Sequence, residues 1–230
     1  MEDGLWGIDV RIRPSEGERV IGGCYRVVQP LKPGPGWETL LAIDLAQGDR
    51  VTVKTISVEV ISAGEVAQLE HDAEALRCVR GPWVAGLRRL GREDDRLLFV
   101  TPYIPGVSLQ ERLAEEPLSV VETLVVGRCL LAGLREVHGL GTLHRAIKPA
   151  NIIIDEGKPL RRAVLTDFSL APAVRLTASM RDRLVATARY VSPEQAGLLD
   201  FEVGERSDLY SVGAVLFECL AGRPLFPGDG

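Results

Sequence analysis

The spacing of the apolar residues changes near residues 102–106, and this change constrains the fold of the chain more than any other feature. After this point, apolar residues recur mainly at the three- and four-residue intervals of amphipathic helices. Before it, short apolar runs bounded by turn residues predict β-strands at 25–28, 39–43, 51–56, 87–90 and 96–101. The sequence therefore predicts the α+β class, with a small antiparallel-sheet lobe followed by a larger, mainly helical lobe.

Signals for the ends of helices support this division. Residues 63–79, within the sheet-rich part, have helical spacing. In the second part, Ser108 and Ser119 each precede a glutamate by three positions, which is the pattern of a capping box. The box at Ser119 predicts a long helix to about residue 138, and a last helix over 207–220 is followed by Gly222.

Composition limits the class of protein. With 46% hydrophobic and 26% charged residues, the 230-residue chain has enough apolar side chains to bury ordinary globular cores. The net charge of -5 and the lack of a clustered Lys/Arg tract argue against a nucleic-acid partner. No apolar run approaches the roughly 18 to 20 residues of a membrane span. Because no signal peptide is visible either, we expect a cytoplasmic protein.

The cysteines follow no metal-binding or disulfide pattern. None of the four belongs to a C-x-x-C pair, and all lie within apolar patterns that are typical of reduced, buried thiols. They are Cys24, Cys78, Cys129 and Cys219.

Five short motifs occur in order along the predicted elements. V-T-V-K ends a strand at 51–54, and H-R-A-I-K-P-A-N follows at 144–151. The remaining three are D-F-S at 167–169, Y-V-S-P-E at 190–194 and S-D-L-Y-S-V-G at 207–213. Together the motifs resemble a protein kinase over nearly the whole chain, and their form is similar to that of bacterial Ser/Thr kinases.

The resemblance implies a two-lobed protein-kinase fold with ATP and Mg²⁺ as ligands. We expect an N-terminal extension at 1–18, an N-lobe at 19–103 and a C-lobe at 104–230. Kinase-like large lobes continue beyond the central helix that the last motif begins. We therefore expect the C-lobe to be incomplete after Gly230.

Lys54 is the residue that the resemblance assigns to the α- and β-phosphates, as a point charge at the end of a strand. Its usual partner is a helical glutamate, and Asp72 has that position here. Asp72 shares a helix face with Leu69 and Leu76, but its side chain is shorter by one methylene, about 1.5 Å. A stretched, a water-bridged and an absent ion pair remain open, as does a merely solvated Asp72.

The segment 144–151 resembles the kinase catalytic loop except at Ala146, which replaces the aspartate that accepts the proton of the substrate. A methyl group cannot accept a proton, so the general base is missing. Lys148 remains to neutralise a γ-phosphate oxygen, and Asn151 to bind Mg²⁺ through its amide oxygen. Asp167 resembles the second metal ligand, which joins Mg²⁺ to the phosphates.

Other residues have supporting roles in the resemblance. Phe168 is expected to pack beneath the inner helix, and Asp208 to bind the backbone of the catalytic loop. Glu194 is expected to pair with an arginine beyond residue 230. Three hydroxyl residues are candidate phosphoacceptors, with plain loop hydroxyls as the alternative: Thr177, Ser179 and Thr187.

The loop that covers the nucleotide in kinases departs from the G-x-G-x-x-G pattern. Lys32, Gly34 and Trp37 take the glycine positions, so only the middle glycine is present. An indole over the nucleotide, an open loop and blocked phosphates are all compatible with Trp37.

The adenine site is closer to the kinase pattern. Thr101 resembles the residue that guards the back pocket, and the hinge follows it. Pro102 offers its carbonyl to the base, and Ile104 offers its N–H and carbonyl. Leu31, just before the nucleotide loop, is the remaining residue expected to contact the cofactor.

Three functions are consistent with these residues. The first is a pseudokinase that binds Mg·ATP and acts as a signalling switch for a protein partner or a fused output domain. The second is an active but slow protein serine/threonine kinase, because phosphoryl transfer depends mainly on positioning and charge neutralisation. The third is a scaffold without nucleotide, which follows if Trp37 fills the cleft.

Overall fold

The computed structural model describes residues 18–34, 36–60, 63–168 and 189–226. Their contacts form two compact units, and the described residues up to Val60 belong to the first together with Arg88–Tyr103. The second contains the described residues from 63 to Leu87 and those from Ile104 onward. The predicted limits of the lobes stay a prediction, and the helix that was expected in the N-lobe falls in the second unit.

The first unit is a six-stranded antiparallel sheet with the order β1-β2-β3-β4-β6-β5. The strands are β1 Val20–Ile21, β2 Tyr25–Gly34, β3 Trp37–Asp44, β4 Arg50–Ser57, β5 Arg89–Glu93 and β6 Arg96–Pro102. The pairing of β2 with β3 shifts register twice, once directly after Pro30. A proline lacks the N–H that a ladder needs, which is why prolines in strands occur at such irregularities.

The two faces of this sheet differ because side chains alternate along each strand. One face forms the core of the unit, with Leu40, Ala42, Val51, Val53 and Val100 buried together. On the other face, Thr39 lies directly opposite Lys54. The predicted phosphate lysine therefore projects away from the core of its own unit.

The second unit combines four helices with a three-stranded antiparallel sheet in the described chain. The helices are α1 Ala63–Leu76, α2 Leu109–Glu115, α3 Val120–Gly139 and α4 Glu205–Ala221. The strands β7 Val107–Ser108, β8 Ile152–Ile154 and β9 Ala163–Leu165 pair in that order. The α+β prediction is confirmed.

The predicted helix ends agree with the observed caps. Ser108 and Ser119 both form complete capping boxes, in which the hydroxyl accepts from a backbone N–H and the glutamate accepts from the cap in return. Gly222 ends α4 with a φ of 64°, a left-handed conformation that favours glycine. These ends follow from local hydrogen bonding, so neighbouring residues suffice to predict them.

Helix α3 provides much of the core of the second unit. Its fully buried apolar side chains are Val126, Cys129, Leu130, Leu134 and Val137. Helix α4 packs closely on α3 where Gly127 meets Leu216, since a Cβ at Gly127 would lie 3.2 Å from a Leu216 methyl carbon. Within the described residues, no helix combines the length and apolar composition that crossing a membrane requires.

Some predictions differ from the structure in detail, and the helix predicted at 63–79 ends at Leu76. The strand predicted at 87–90 begins only at Arg89, because the Leu87 N–H bonds to the carbonyl of Leu76 at the end of α1. The prediction of four buried thiols is wrong for Cys78, which is exposed, while Cys24 is half-buried. Cys78 lies in the turn after α1, where apolar neighbours in the sequence do not imply burial.

Candidate active site

Asp208 organises the segment that resembles the catalytic loop. Its side chain is 2% exposed, and its two carboxylate oxygens accept from the backbone N–H groups of His144 and Arg145, each at 2.8 Å. The backbone of Arg145 has a φ of 59°, a value that residues other than glycine rarely adopt. The two hydrogen bonds hold this conformation, and they confirm the predicted contact of Asp208 with the loop backbone.

The same carboxylate has a third partner. His138, in the last turn of α3, lies with Nε2 2.9 Å from Oδ2 of Asp208. The contact joins α3, α4 and the loop at one buried group. Nothing in the sequence indicated a role for His138, because it precedes the loop motif by six positions and belongs to no pattern of its own.

Asp72 is bound within its own unit. One oxygen lies 3.3 Å from Nη1 of Arg145, and the other accepts from the Thr142 hydroxyl at 3.4 Å. Asp72 is 8% exposed, so it is not a solvated surface residue. The predicted pairing with Lys54, which belongs to the other unit, stays a prediction. Sequence reasoning missed Arg145 and Thr142 as partners of this carboxylate.

The backbone around Ala146 is tightly bonded although its side chain is only a methyl. The Ala146 carbonyl accepts from Nδ2 of Asn151 at 3.0 Å, and the Ala146 N–H points to Nδ1 of His144 at 3.3 Å. His144 Nε2 lies 3.2 Å from the carbonyl of Thr166, so the ring fits the tautomer that carries its proton on Nε2. The loop is thus held on both sides of the position that lacks a carboxylate.

Asn151 and Asp167 come from the adjacent ends of β8 and β9. The N–H and hydroxyl of Thr166 donate to the Asn151 carbonyl at 2.9 and 3.1 Å, which ties the residue before Asp167 to Asn151. Asp167 has a φ of 53°, a second left-handed residue in this region. Phe168 is buried, and its ring centroid lies 4.4 Å from that of His144. Its predicted contact with α1 stays a prediction.

The donor set fits Mg²⁺ on chemical grounds. Asn151 turns Nδ2 toward the carbonyl of Ala146, so its oxygen points the other way, and Asp167 provides a carboxylate. Mg²⁺ prefers oxygen ligands and commonly combines one or two protein oxygens with phosphate oxygens and water. In the part of the chain that is described, no cluster of three or more His, Cys, Asp or Glu could hold a metal by itself. An amide oxygen and a carboxylate are thus ligands of the type that Mg²⁺ accepts.

The segment that resembles the end of the activation segment is bound to α4 and to the loop. The Ser207 hydroxyl donates to Glu194, and this hydrogen bond lowers the pKa of the Glu194 carboxyl. Gln195, which was not predicted to contact the site, donates to the Arg145 carbonyl at 3.0 Å. The predicted pairing of Glu194 with an arginine beyond residue 230 stays a prediction. Ser169 and the candidate phosphoacceptors Thr177, Ser179 and Thr187 lie outside the described residues.

The hairpin of β2 and β3 contains the positions that resemble the nucleotide loop: Lys32, Gly34 and Trp37. Gly34 pairs with Trp37 across the turn, where Gly36 has a φ of 73°. The indole of Trp37 extends toward Lys54, whose Nζ lies 5.5 Å from the ring centroid. Thr101 pairs with Thr52 on the neighbouring strands β4 and β6. The predicted roles of Thr101 and of Leu31, Pro102, Ile104 and Lys148 stay predictions.

The class of protein follows from the fold and the order of these groups. A strand with Lys54, a loop held by Asp208 and the adjacent Asn151 and Asp167 are the parts expected of a protein kinase. The sequence profile of the protein kinase domain matches residues 25–230. The chain belongs to the protein kinase domain family.

Bacterial serine/threonine kinases are among its relatives. The chain is 31% identical over 214 residues to serine/threonine-protein kinase pkn2 of Myxococcus xanthus, covering 91% of this chain and 26% of that protein. It is 30% identical over 214 residues to serine/threonine-protein kinase PrkC of Bacillus subtilis, covering 91% of this chain and 32% of that protein. The chain thus spans about a quarter to a third of these relatives. The predicted resemblance to bacterial Ser/Thr kinases is confirmed.

Solved structures agree on the fold. The Mycobacterium tuberculosis PknI kinase domain superimposes with a TM-score of 0.75 over 94% of this chain and 80% of that chain, at 20% sequence identity. At this identity the likeness shows the fold alone, and it confirms the predicted protein-kinase fold.

Proposed function

We propose that this chain is a pseudokinase domain that binds Mg·ATP and signals through its nucleotide-bound conformation rather than through phosphotransfer. Ala146 carries the proposal: the alanine occupies the general-base position within a loop whose other parts are in place. General-base catalysis is typically worth about 10²- to 10⁴-fold in rate. Loss of the general base therefore removes most of the turnover but leaves in place the side chains that bind the nucleotide and Mg²⁺.

The remaining residues have separate roles in the proposed complex. Lys54 supplies a positive charge to the phosphates, and Lys148 offsets charge at the transferable group. Asn151 and Asp167 hold Mg²⁺ through oxygen atoms, and the bound ion would neutralise phosphate charge. The adenine base of the nucleotide contacts Leu31 and Thr101 and forms hydrogen bonds with the backbone of Pro102 and Ile104, as the kinase resemblance implies. Asp72 orients Lys54 in this scheme.

A slow serine/threonine kinase is the second candidate. It is favoured by the loop contacts that Asp208, Asn151 and Arg145 make, and by the relatives' names as serine/threonine-protein kinases. A loose transition state lets the hydroxyl of the substrate lose its proton late, so some transfer without a base is chemically reasonable. Turnover separates this candidate from the pseudokinase.

The setting of the domain is also a proposal. We place it in the cytoplasm, where Mg·ATP is available, and assign its output to a protein partner or a fused domain. The division into an N-lobe at 19–103 and a C-lobe at 104–230 belongs to this proposal. The N-terminal extension at 1–18 has no assigned role.

Ligand-induced stabilisation tests nucleotide binding. Mg·ATP in excess of its Kd raises the melting temperature of any protein that binds it only when folded. We expect this rise for the parent chain and for Lys158→Ala, which changes an exposed lysine between β8 and β9 that has no proposed role in the site. Lys54→Ala and Asp167→Ala should remove most of the rise. An unchanged melting curve for the parent at saturating Mg·ATP would reject the proposed function and favour the scaffold.

A further inference from the structure

Trp37 and Lys54 project from the same face of the six-stranded sheet. Trp37 and Thr39 are two positions apart on β3, so their side chains share a face, and Thr39 lies directly opposite Lys54 on β4. The Lys54 ammonium is 5.5 Å from the indole centroid. A cation within about 6 Å of an indole face is attracted to its π-electrons, and tryptophan gives the strongest such contact.

Gly34 accommodates the indole. A Cβ built on Gly34 would overlap three atoms of the Trp37 ring. The ring therefore occupies the space that the missing side chain of Gly34 leaves open. In the kinase pattern that space lets the backbone approach a phosphate. Here the surviving glycine of the motif serves the indole instead.

Thr39 provides an independent indication of a ligand on this face. Its side chain is 3% exposed, and its hydroxyl has no hydrogen-bond partner within the described residues. An unpaired buried hydroxyl costs free energy, so such groups commonly mark a position that a ligand or water completes. Thr39 lies directly opposite Lys54 on the neighbouring strand, and Lys54 is the residue that the kinase resemblance assigns to phosphate.

Given the proposed binding of nucleotide, we propose that Trp37 is an internal competitor for the phosphate chain and sets the preference of the site for phosphate length. The indole contacts the Lys54 ammonium and covers Gly34 in the absence of ligand. A triphosphate must displace the ring to reach Lys54, after which the Thr39 hydroxyl gains a partner. A nucleoside without phosphates does not need that displacement. The competition therefore lowers the affinity for ATP and leaves the affinity for adenosine unchanged.

Calorimetric titration with Mg·ATP and with adenosine tests the proposal on the intact chain. Three substitutions separate the aromatic face from bulk: Trp37→Phe keeps a weaker aromatic face, Trp37→Leu keeps apolar volume, and Trp37→Gly restores the kinase residue. We expect Trp37→Gly and Trp37→Leu to tighten Mg·ATP by about 2- to 30-fold, the range of a cation–π contact. Trp37→Phe should fall between them and the parent. Adenosine affinity should stay within about twofold.

The other outcomes each overturn a stated part. Equal Mg·ATP affinities in all four proteins would refute the competition while leaving nucleotide binding established. Tighter binding by Trp37→Gly with Trp37→Leu equal to the parent would show that bulk, rather than the aromatic face, excludes phosphate. A parallel gain for adenosine would place the ring at the base instead. If neither Mg·ATP nor adenosine binds to the parent or to any of the three variants, both this proposal and the proposed function are wrong. Should Trp37→Gly not fold, the order of Phe and Leu decides.

Discussion

The catalytic-loop segment and the β2–β3 hairpin depart from the kinase pattern in opposite ways. At Ala146 a methyl stands where the kinase pattern has a carboxylate, yet the hydrogen bonds that Asp208 accepts and that Asn151 donates are present. At Trp37 a large side chain has been added, and it makes contacts with Gly34 and Lys54. One region has lost a group, and the other has gained one.

The difference teaches that the two regions depend on the altered side chain to unequal degrees. The hydrogen bonds that hold the loop at residues 144–146 end on its backbone N–H and carbonyl groups, so they do not involve the side chain at residue 146. The hairpin contacts run through the indole itself and the space above Gly34, so a substitution at Trp37 removes them. We therefore expect a restored carboxylate to function at once in the loop, and we expect a triphosphate to compete with the indole for Lys54 in the hairpin.

Restoring a carboxylate at residue 146 should have the largest effect among the tests of this comparison. Ala146→Asp should raise phosphotransfer by about 10²- to 10⁴-fold, because a general base returns to a loop that is already shaped for it. Radiolabelled ATP and a serine- or threonine-containing peptide measure the rate in the full-length protein. Ala146→Asn is the matched control, since it adds similar volume without a base and should stay near the parent. A parent that already matches Ala146→Asp would identify a slow kinase rather than a pseudokinase.

Removing the support of the loop is the next test. Asp208→Asn should lower the free energy of unfolding by about 3 kcal/mol, because an amide cannot accept from all three donors that the buried carboxylate serves. Urea unfolding followed by circular dichroism measures the change. Asp200→Asn, at an exposed position, should stay within about 0.5 kcal/mol of the parent. A loss at Asp208 as small as that of the control would mean that the backbone contacts do not hold the loop.

Combining the two regions tests whether their departures are independent. Trp37→Gly added to Ala146→Asp should lower the KM for ATP by about 2- to 30-fold and leave kcat unchanged. The indole affects phosphate binding, whereas the aspartate acts on the proton of the acceptor. Steady-state kinetics at varied ATP concentration measures both constants. A change in kcat of similar size would show that the hairpin also affects the chemical step.

The smallest expected effect concerns the N-cap of α3, which belongs to neither region. Ser119→Ala should cost about 1 kcal/mol of stability at neutral pH, because it removes the capping box of α3. Hydrogen bonds from Ser119 lower the pKa of Glu122, so this contribution is present above the unfolded pKa and declines as the pH falls through the folded pKa. Denaturation of parent and variant at several pH values measures it. Ser119→Thr retains the hydroxyl and should lose much less; an equal loss would exclude the cap as the cause.

Much of the fold was predictable because its signals are local. The box at Ser119 involves residues three positions apart, and the αL end of α4 needs only Gly222. The exposure of Cys78 was not predictable in this way, because apolar neighbours in sequence do not fix which side of a turn faces solvent. For the candidate site, the sequence was sufficient to predict the contact of Asp208 with the loop backbone, whereas the loss of a general base at Ala146 stays a prediction.

The sequence by itself determined the order of the kinase motifs, the helix caps and the absence of a proton acceptor at residue 146, since each depends on residue type or on near neighbours. Only the tertiary structure decided that Asp72 meets Arg145 across 73 positions, that His138 joins Asp208, and that the Trp37 ring lies beside Lys54. Such contacts depend on how strands and helices pack. Packing brings together side chains whose separation along the chain carries no record of their proximity in space.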